Sequence, residues 1–421
     1  MAQLPFPDAD SAAYDVDIIL QEHQSDTLDK LSDAAYQILE TEVNTDSERL
    51  GVTFERDESV TLSATQHVGI VSLPDGPTIE IRPKVSELDL LSMLRYAQDI
   101  DASTIEQETP VTAGRTFIEA LAALYQTELK SVLRQGLSRN YRRTSGTEKY
   151  LHGQLNLQQQ LQRQGLAPTR FECVYDELTY DTIVNRAILY ATTVLNRLVR
   201  DQELSQALNR QQQVLRRRVT LTPVRLIDLE QIELTRLSAH YTDLLRLTKL
   251  VLRSVFVQDL RAGDRRSFAL LVNMNQVFEA VVKRAVTDVL RTRESWSVTT
   301  QSSSCKLLSG KPDINIRPDV LVHDEYGEPA LVGDAKWKTE RPQNSDLYQL
   351  VAYQVAHDVP GVLVYPEQDG TVETQYTVRD GHPLHIIELP MARDEVDFRA
   401  FRTQIGQSLG ERLRPLLDYS V

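Results

Sequence analysis

The sequence predicts an α+β chain of several domains: a small N-terminal α+β domain, a helical middle region, and a C-terminal mixed β-sheet with flanking helices. Three observations predict this. The chain has 421 residues, enough for two or three separately cored domains. β-Rich runs and helical periodicity mix near both ends, whereas residues 114–262 carry mostly helical periodicity. From residue 268 the signals run helix, three strands, helix, strand, an order that favours a mixed sheet with helices on its faces. The expected divisions are 1–112, 113–262 and 263–421, with "RAGDRR", residues 261–266, as a linker.

In the first segment "YDVDIIL" alternates as a strand does, and "TLDKLSDAAYQILETEV" spaces its apolar residues as a helix does. "HVGIVSL" and "TIEIRPKV" flank "PDGP", whose turn chemistry predicts a hairpin. "SELDLLSMLRYAQDI" reads as a helix capped near Ser86 or Asp89. The middle segment offers three amphipathic helices: "TFIEALAALYQTELKSVLRQGL", ending near Gly136, "YDTIVNRAILYATTVLNRLV" and "LSAHYTDLLRLTKLVLRSVF". Arginines crowd it, at Arg134, Arg139, Arg142 and Arg143 and again at Arg216, Arg217 and Arg218. They suit either solvated faces paired with acids or contact with phosphates or an acidic partner. In the last segment "FALLVNMNQVFEAVVKRAVTDVL" predicts one long helix and "SWSVTT" a strand. A hairpin follows over residues 316–338, then a helix at "SDLYQLVAYQVAHD" and β runs at "GVLVYP", "TVETQYTV" and "LHIIEL".

Composition narrows the class. The net charge of −14 argues against a basic protein that coats nucleic acid, although local patches decide DNA binding. Of 46 basic residues 10 are Lys, and acidity with few lysines suits a protein adapted to strong salt. Cys173 and Cys305 form no C-x-x-C pair, which excludes a zinc ribbon or four-cysteine iron–sulfur site within one chain. No apolar run reaches the length of a membrane span, and "MAQLPFPDAD" lacks a signal pattern, so the expected location is cytoplasmic. There is no G-x-x-x-x-G-K-[ST] loop, since "LLSGKPD" lacks the first glycine and the Ser/Thr; a nucleotide-driven motor would be another chain.

Charges interrupt the hairpin "IRPDVLVHDEYGEPALVGDAKWK" where apolar residues would pack better. Centring its turn between Tyr326 and Gly327 sets Asp319 directly opposite Asp334, and Lys336 points to the same face. Opposed carboxylates repel, and a hard divalent cation is the better compensation. Asp319 and Asp334 are therefore candidate ligands, with the backbone carbonyl of Ala335 as a further one. Lys336 would orient or deprotonate a water and stabilise developing negative charge, chemistry suited to phosphodiester hydrolysis. A second Pro-Asp, at Asp313, would centre the turn inside an apolar strand, so Asp319 is preferred. Glu279 flanks the buried stripe of the preceding helix, where the plain reading is a boundary residue paired with Lys283. Gln349 and Tyr353 are i,i+4 neighbours on the following helix, with Asp346 three residues earlier.

Pro318-Asp319 followed after fourteen residues by Asp334-Ala335-Lys336 resembles the PD-(D/E)xK nuclease motif. Gln349 and Tyr353 match the Q-x-x-x-Y pattern of several branches of that superfamily. The resemblance implies a restriction-endonuclease-like α-β-β-β-α-β core. "HVGIVSLPDGPTIEIRPKV", "LLSMLRYAQDI", "GLSRNYRRTSGTEKYLHGQLNL", "YDELTYDTIVNRAILYATTVL" and "NMNQVFEAVVKRAV", in that order, resemble the McrC family, the nuclease subunits of McrBC modification-dependent restriction systems. The likeness runs from about residue 60 to 355. It implies a Mg²⁺-dependent DNA endonuclease that docks on a separate McrB-like AAA+ GTPase through its N-terminal and middle regions and cuts double-stranded DNA. In that frame Asp319 and Asp334 hold Mg²⁺, with Glu279 as an extra ligand, and Lys336 assists the water. Two alternatives keep the fold and change the role: a non-cutting adaptor of an AAA+ motor, and a free-standing RecB-like repair nuclease.

Overall fold

The structure is a computed structural model. It describes residues 15–57, 59–100, 116–163, 169–232, 234, 236–256, 268–293, 295–299, 305–308, 314–338, 342–367, 374–379, 381–391 and 398–419. The expected linker 261–266 and Asp313 lie outside these. Two compact units emerge, residues 1–121 with 254–421, and residues 122–253.

The first unit carries two large sheets. One has five strands, in the order Ile18–Gln21, Thr78–Arg82, His67–Ser72, Phe268–Asn273, Val255–Phe256. The expected hairpin is there, with His67–Ser72 antiparallel to Thr78–Arg82. The helix Glu87–Ala97 begins at Ser86, whose hydroxyl accepts from the Asp89 amide. Periodicity predicts one helix over 268–290, but its first six residues are the strand Phe268–Asn273, paired with His67–Ser72. A short apolar run cannot be assigned by periodicity alone; here the sheet claims it. Asn273 then caps the helix Met274–Leu290, its side chain accepting from the amides of Asn275 and Gln276. The two strands approach closely at Gly69, where φ is +146° and a Cβ would fall 1.9 Å from the Leu270 carbonyl oxygen. Only glycine fits there.

The second sheet has six strands, in the order Ser297–Thr299, Val320–His323, Pro329–Ala335, Gly361–Pro366, Pro383–Leu389, Gln375–Thr377. Pro329–Ala335 runs antiparallel to Val320–His323 and parallel to Gly361–Pro366. A separate hairpin, Cys305–Leu308 with Ile314–Ile316, is inserted before Val320. The helix Asn344–His357 packs Leu350 and Tyr353 into the core formed by Val332, Leu363 and Tyr365. The helix Met274–Leu290 also packs on the strand Pro329–Ala335. Phe398–Tyr419 is a helix with Pro415 inside it, packed on Met274–Leu290. Among the described residues no helix is long and apolar enough to cross a membrane.

The second unit holds the helices Ile183–Leu198, Gln202–Arg216 and most of Phe117–Gln135 and Thr242–Ser254. A three-stranded sheet breaks the expected helical run: Phe171–Thr179 pairs with Asn140–Glu148 and with Gln154–Leu155. The strand Asn140–Glu148 is largely exposed, so it has no apolar period to read. Buried polar groups tie the unit together. Tyr241 donates to Asn185 Oδ1 at 3.1 Å, and Asn185 Nδ2 donates to the carbonyls of Ser138 and Tyr180. Arg139 and Arg218 both stand over the Tyr180 ring, at 5.3 and 4.8 Å. Cys173 is a free, buried thiol.

Candidate active site

Charged groups collect at one end of the six-stranded sheet. Val320 pairs with Gly333 and Leu321 with Val332, and the same register one step further sets Asp319 opposite Asp334. A bulge between Val322 and His323 shifts the register only at the turn end, away from the acids. Asp319 Oδ2 accepts the Ala335 amide at 2.9 Å. The Lys336 amide, by contrast, donates to the Val364 carbonyl of the other neighbouring strand. Alternation along the ladder therefore turns both backbone polar groups of Ala335 to the Asp319 side.

Asp334 is 2% exposed, and its Oδ2 lies 2.7 Å from Lys336 Nζ. That contact is an ion pair inside the protein, with Lys336 itself only partly exposed. Lys336 Nζ donates to Gln349 Oε1 at 2.9 Å. Gln349 Nε2 donates to the Tyr353 hydroxyl at 2.7 Å, which donates to the Arg317 carbonyl at 3.2 Å. This relay fixes which end of the Gln349 amide meets the lysine. Glu279, on the helix Met274–Leu290, feels the charges of Asp319, Asp334 and Lys336.

The electrostatics report an excess of acid. Burial pushes Glu279 up to about 7, and the charges of Asp319 and Asp334 add to it against the pull of Lys336. Asp334 is also raised, first by burial and then by Asp319, with Lys336 opposing. Burial works against the Lys336 ammonium, but Asp334, Asp319 and Asp346 together outweigh it and hold the lysine above its ordinary range.

Asp319, Asp334, Ala335, Lys336, Gln349 and Tyr353 are thus joined directly, and Glu279 stands within electrostatic reach. Among the described residues no three His, Cys, Asp or Glu side chains close on a common point that could hold a metal ion. Asp346 turns elsewhere: it binds Lys338 Nζ at 2.9 and 3.1 Å, accepts the Tyr365 hydroxyl at 2.9 Å, and completes a capping box with Gln343. Sequence reasoning overlooked Lys338, although its parity with Asp334 and Lys336 was visible. It also overlooked Trp337 and Glu22, whose indole and carboxylate meet at 2.8 Å across 315 positions; no local signal could have found that pair.

An α+β fold whose mixed sheet presents opposed carboxylates and a lysine at a strand end defines a protein with an acid-rich site. The chain belongs to the family of McrBC 5-methylcytosine restriction system components, whose model matches residues 62–366. It is similar in fold to a chain in the refined half-complex from the tetradecameric assembly of Thermococcus gammatolerans McrB AAA+ hexamers with bound McrC. That match has a TM-score of 0.59 at 17% identity and covers 92% of this chain and 99% of that one. A chain in the cryo-EM structure of the Thermococcus gammatolerans McrBC complex matches with a TM-score of 0.44 at 19% identity, over 65% of this chain and 88% of that one. No curated protein matches by sequence.

Proposed function

We propose that this chain is the Mg²⁺-dependent DNA endonuclease subunit of a methylcytosine-directed restriction complex, cutting phosphodiester bonds when a McrB-like AAA+ GTPase on a separate chain drives it. One observation carries the proposal: Asp319 and Asp334 face each other at a sheet end with Lys336 against them and Glu279 near, so acids outnumber the ammonium. With the separate hairpin Cys305–Leu308/Ile314–Ile316 set aside as an insertion, the order helix Met274–Leu290, three strands of the six-stranded sheet, helix Asn344–His357, strand Gly361–Pro366 accords with a PD-(D/E)xK core.

The donor set fits Mg²⁺. That ion takes one or two carboxylates and keeps several waters, so it needs no closed cage of protein ligands. Asp319 and Asp334 would hold it, with the Ala335 carbonyl on the same side and Glu279 able to join. Bound there, it would supply Lewis-acid stabilisation and a more acidic water. Lys336 is held by Gln349 so that its ammonium sits beside the acids, where it stabilises charge developing on the phosphoryl oxygens. Gln349 and Tyr353 keep that ammonium from swinging away. The arginine-rich second unit would supply part of the docking surface for the motor or for DNA.

Cleavage of methylated and unmethylated double-stranded DNA by the chain reconstituted with its candidate motor, GTP and Mg²⁺ tests the proposal. Asp334→Ala should lower cutting on the order of 10³-fold or more, while GTP hydrolysis by the motor stays stimulated. Undiminished cutting by that variant refutes the assignment. GTPase stimulation by a wild-type chain that never cuts would favour the adaptor role instead.

A further inference from the structure

The lysine of the site stands where its sheet stops. The strand Pro329–Ala335 ends one residue before Lys336, and the backbone beyond it is held by two bonds. These are Lys336 N to Val364 O at 2.9 Å and Lys338 N to Lys336 O at 3.0 Å. Where the ladder ends, side chains must hold the backbone that aims Lys336.

Trp337 does so from the opposite side of the chain. Its ring lies 5.5 Å from that of Phe278, the residue before Glu279. Its Nε1 donates to Glu22 Oε1 at 2.8 Å. Trp337 is 4% exposed and Glu22 is 3% exposed. The other carboxylate oxygen, Oε2, accepts the Lys84 amide at 2.9 Å, and the Glu22 amide donates to the Arg82 carbonyl at 3.1 Å. Glu22 follows the edge strand Ile18–Gln21 of the five-stranded sheet, in a turn whose next residue, His23, has a φ of 62°. A carboxylate is an expensive group to bury, and an apolar contact could brace two sheets at less cost. What the carboxylate adds is direction, because each oxygen accepts one defined donor and the indole has one orientation.

We infer that Glu22 and Trp337 are positioning residues for the Lys336 ammonium, which makes the N-terminal strand segment a working part of the cutting site. The five-stranded sheet then grips the site twice. The strand Phe268–Asn273 runs directly into the helix that bears Glu279. Glu22 holds the residue next to Lys336. A shift of this sheet would move both groups together. The inference rests on the nuclease reading.

Trp337→Phe removes the single donor and keeps an aromatic ring, smaller than the indole, beside Phe278. Glu22→Gln keeps the shape but turns an amide group toward one of two donors. In the reconstituted complex each should lower the single-turnover cutting rate at saturating Mg²⁺ by about ten- to a hundredfold, as loss of an orienting partner does. The Mg²⁺ concentration for half-maximal cutting should stay within about twofold of wild type, because Asp319 and Asp334 are untouched; loosening of the whole site would move it as well. The double variant should lose no more than the worse single variant, since both cut the same bond. Wild-type rates in either single variant overturn the inference. So does a loss that tracks only a fall in melting temperature, or additive losses in the double variant. A wild-type complex that leaves DNA intact overturns the nuclease reading itself, and the inference with it.

Discussion

Two carboxylates, one in each unit, sit among charged neighbours and respond in opposite directions. Asp181, in the second unit, receives Arg186 through Nε at 2.7 Å and Nη2 at 2.5 Å, Arg142 at 3.3 Å, and both the amide and hydroxyl of Thr220. The Arg186 bonds come first among the causes that bring it down to about 2. Asp334, in the first unit, has one ammonium against it and two further acids nearby, and it is raised. The first arrangement has donors to spare and is complete as protein alone. The second has acid to spare, and a strand pair that sets two carboxylates face to face costs stability unless a cation joins them. An acid held by several donors fastens a fold; acids crowded together around one ammonium are what the proposed metal site requires.

Mg²⁺ should separate the two clusters most strongly. At a hundredfold excess over its dissociation constant, a ligand that binds only the folded state stabilises it by about 2.7 kcal/mol. Thermal unfolding of the wild-type chain should therefore shift upward by several degrees on adding Mg²⁺ near pH 8. Asp181→Asn should keep the shift, and Asp319→Asn with Asp334→Asn should abolish it. An equal shift in that double variant would mean the ion binds elsewhere.

Only the Asp334 side of this contrast is legible in the sequence; the cluster around Asp181 joins residues from distant segments and has no local signal. The Asp319–Asp334 register followed from turn chemistry at Asp324–Gly327 and strand parity, both local properties. Helical spacing makes Gln349 and Tyr353 neighbours on one helix face, whereas the bond from Lys336 to Gln349 that completes the relay is created by the tertiary fold. The Phe268–Asn273 strand was misread because strand pairing, a distant event, overrode an ambiguous apolar run. The exposed strand Asn140–Glu148 gave no period. The Glu22–Trp337 bond joins residues whose proximity only the tertiary fold creates.

Neutralising the satisfied acid should cost stability. Asp181→Asn replaces an acceptor of charged donors with a group that must present an amide to some of them, so the loss should be roughly 2 kcal/mol at pH 7. The sign with pH follows from its lowered value. The contribution is complete above the ordinary carboxylate range near 3.8 and fades as the pH falls through about 2. Unfolding of wild type and variant should therefore converge in strong acid. Equal stability at pH 7 would remove Asp181 from the structural side of the comparison.

Neutralising an acid that burial and neighbouring acids hold above its ordinary range should do the reverse, and by less. Glu279 titrates at about 7 in the fold against 4.5 as its ordinary value. The folded chain therefore keeps a proton that the unfolded chain releases, and the resulting stabilisation is complete below pH 4.5 and lost as the pH rises through 7. Glu279→Gln mimics the protonated form at every pH. Because Glu279 is partly solvated, the full shift overstates the effect, and the variant should gain about 1–2 kcal/mol at pH 8 without metal. The gain should vanish by pH 4.5 and shrink when Mg²⁺ is present, because the cation then offsets the same repulsion. A variant less stable than wild type at pH 8 would show that the charged Glu279 side chain stabilises the fold by more than its burial and acidic neighbours cost, and would take it out of the acid excess that the proposed metal site requires.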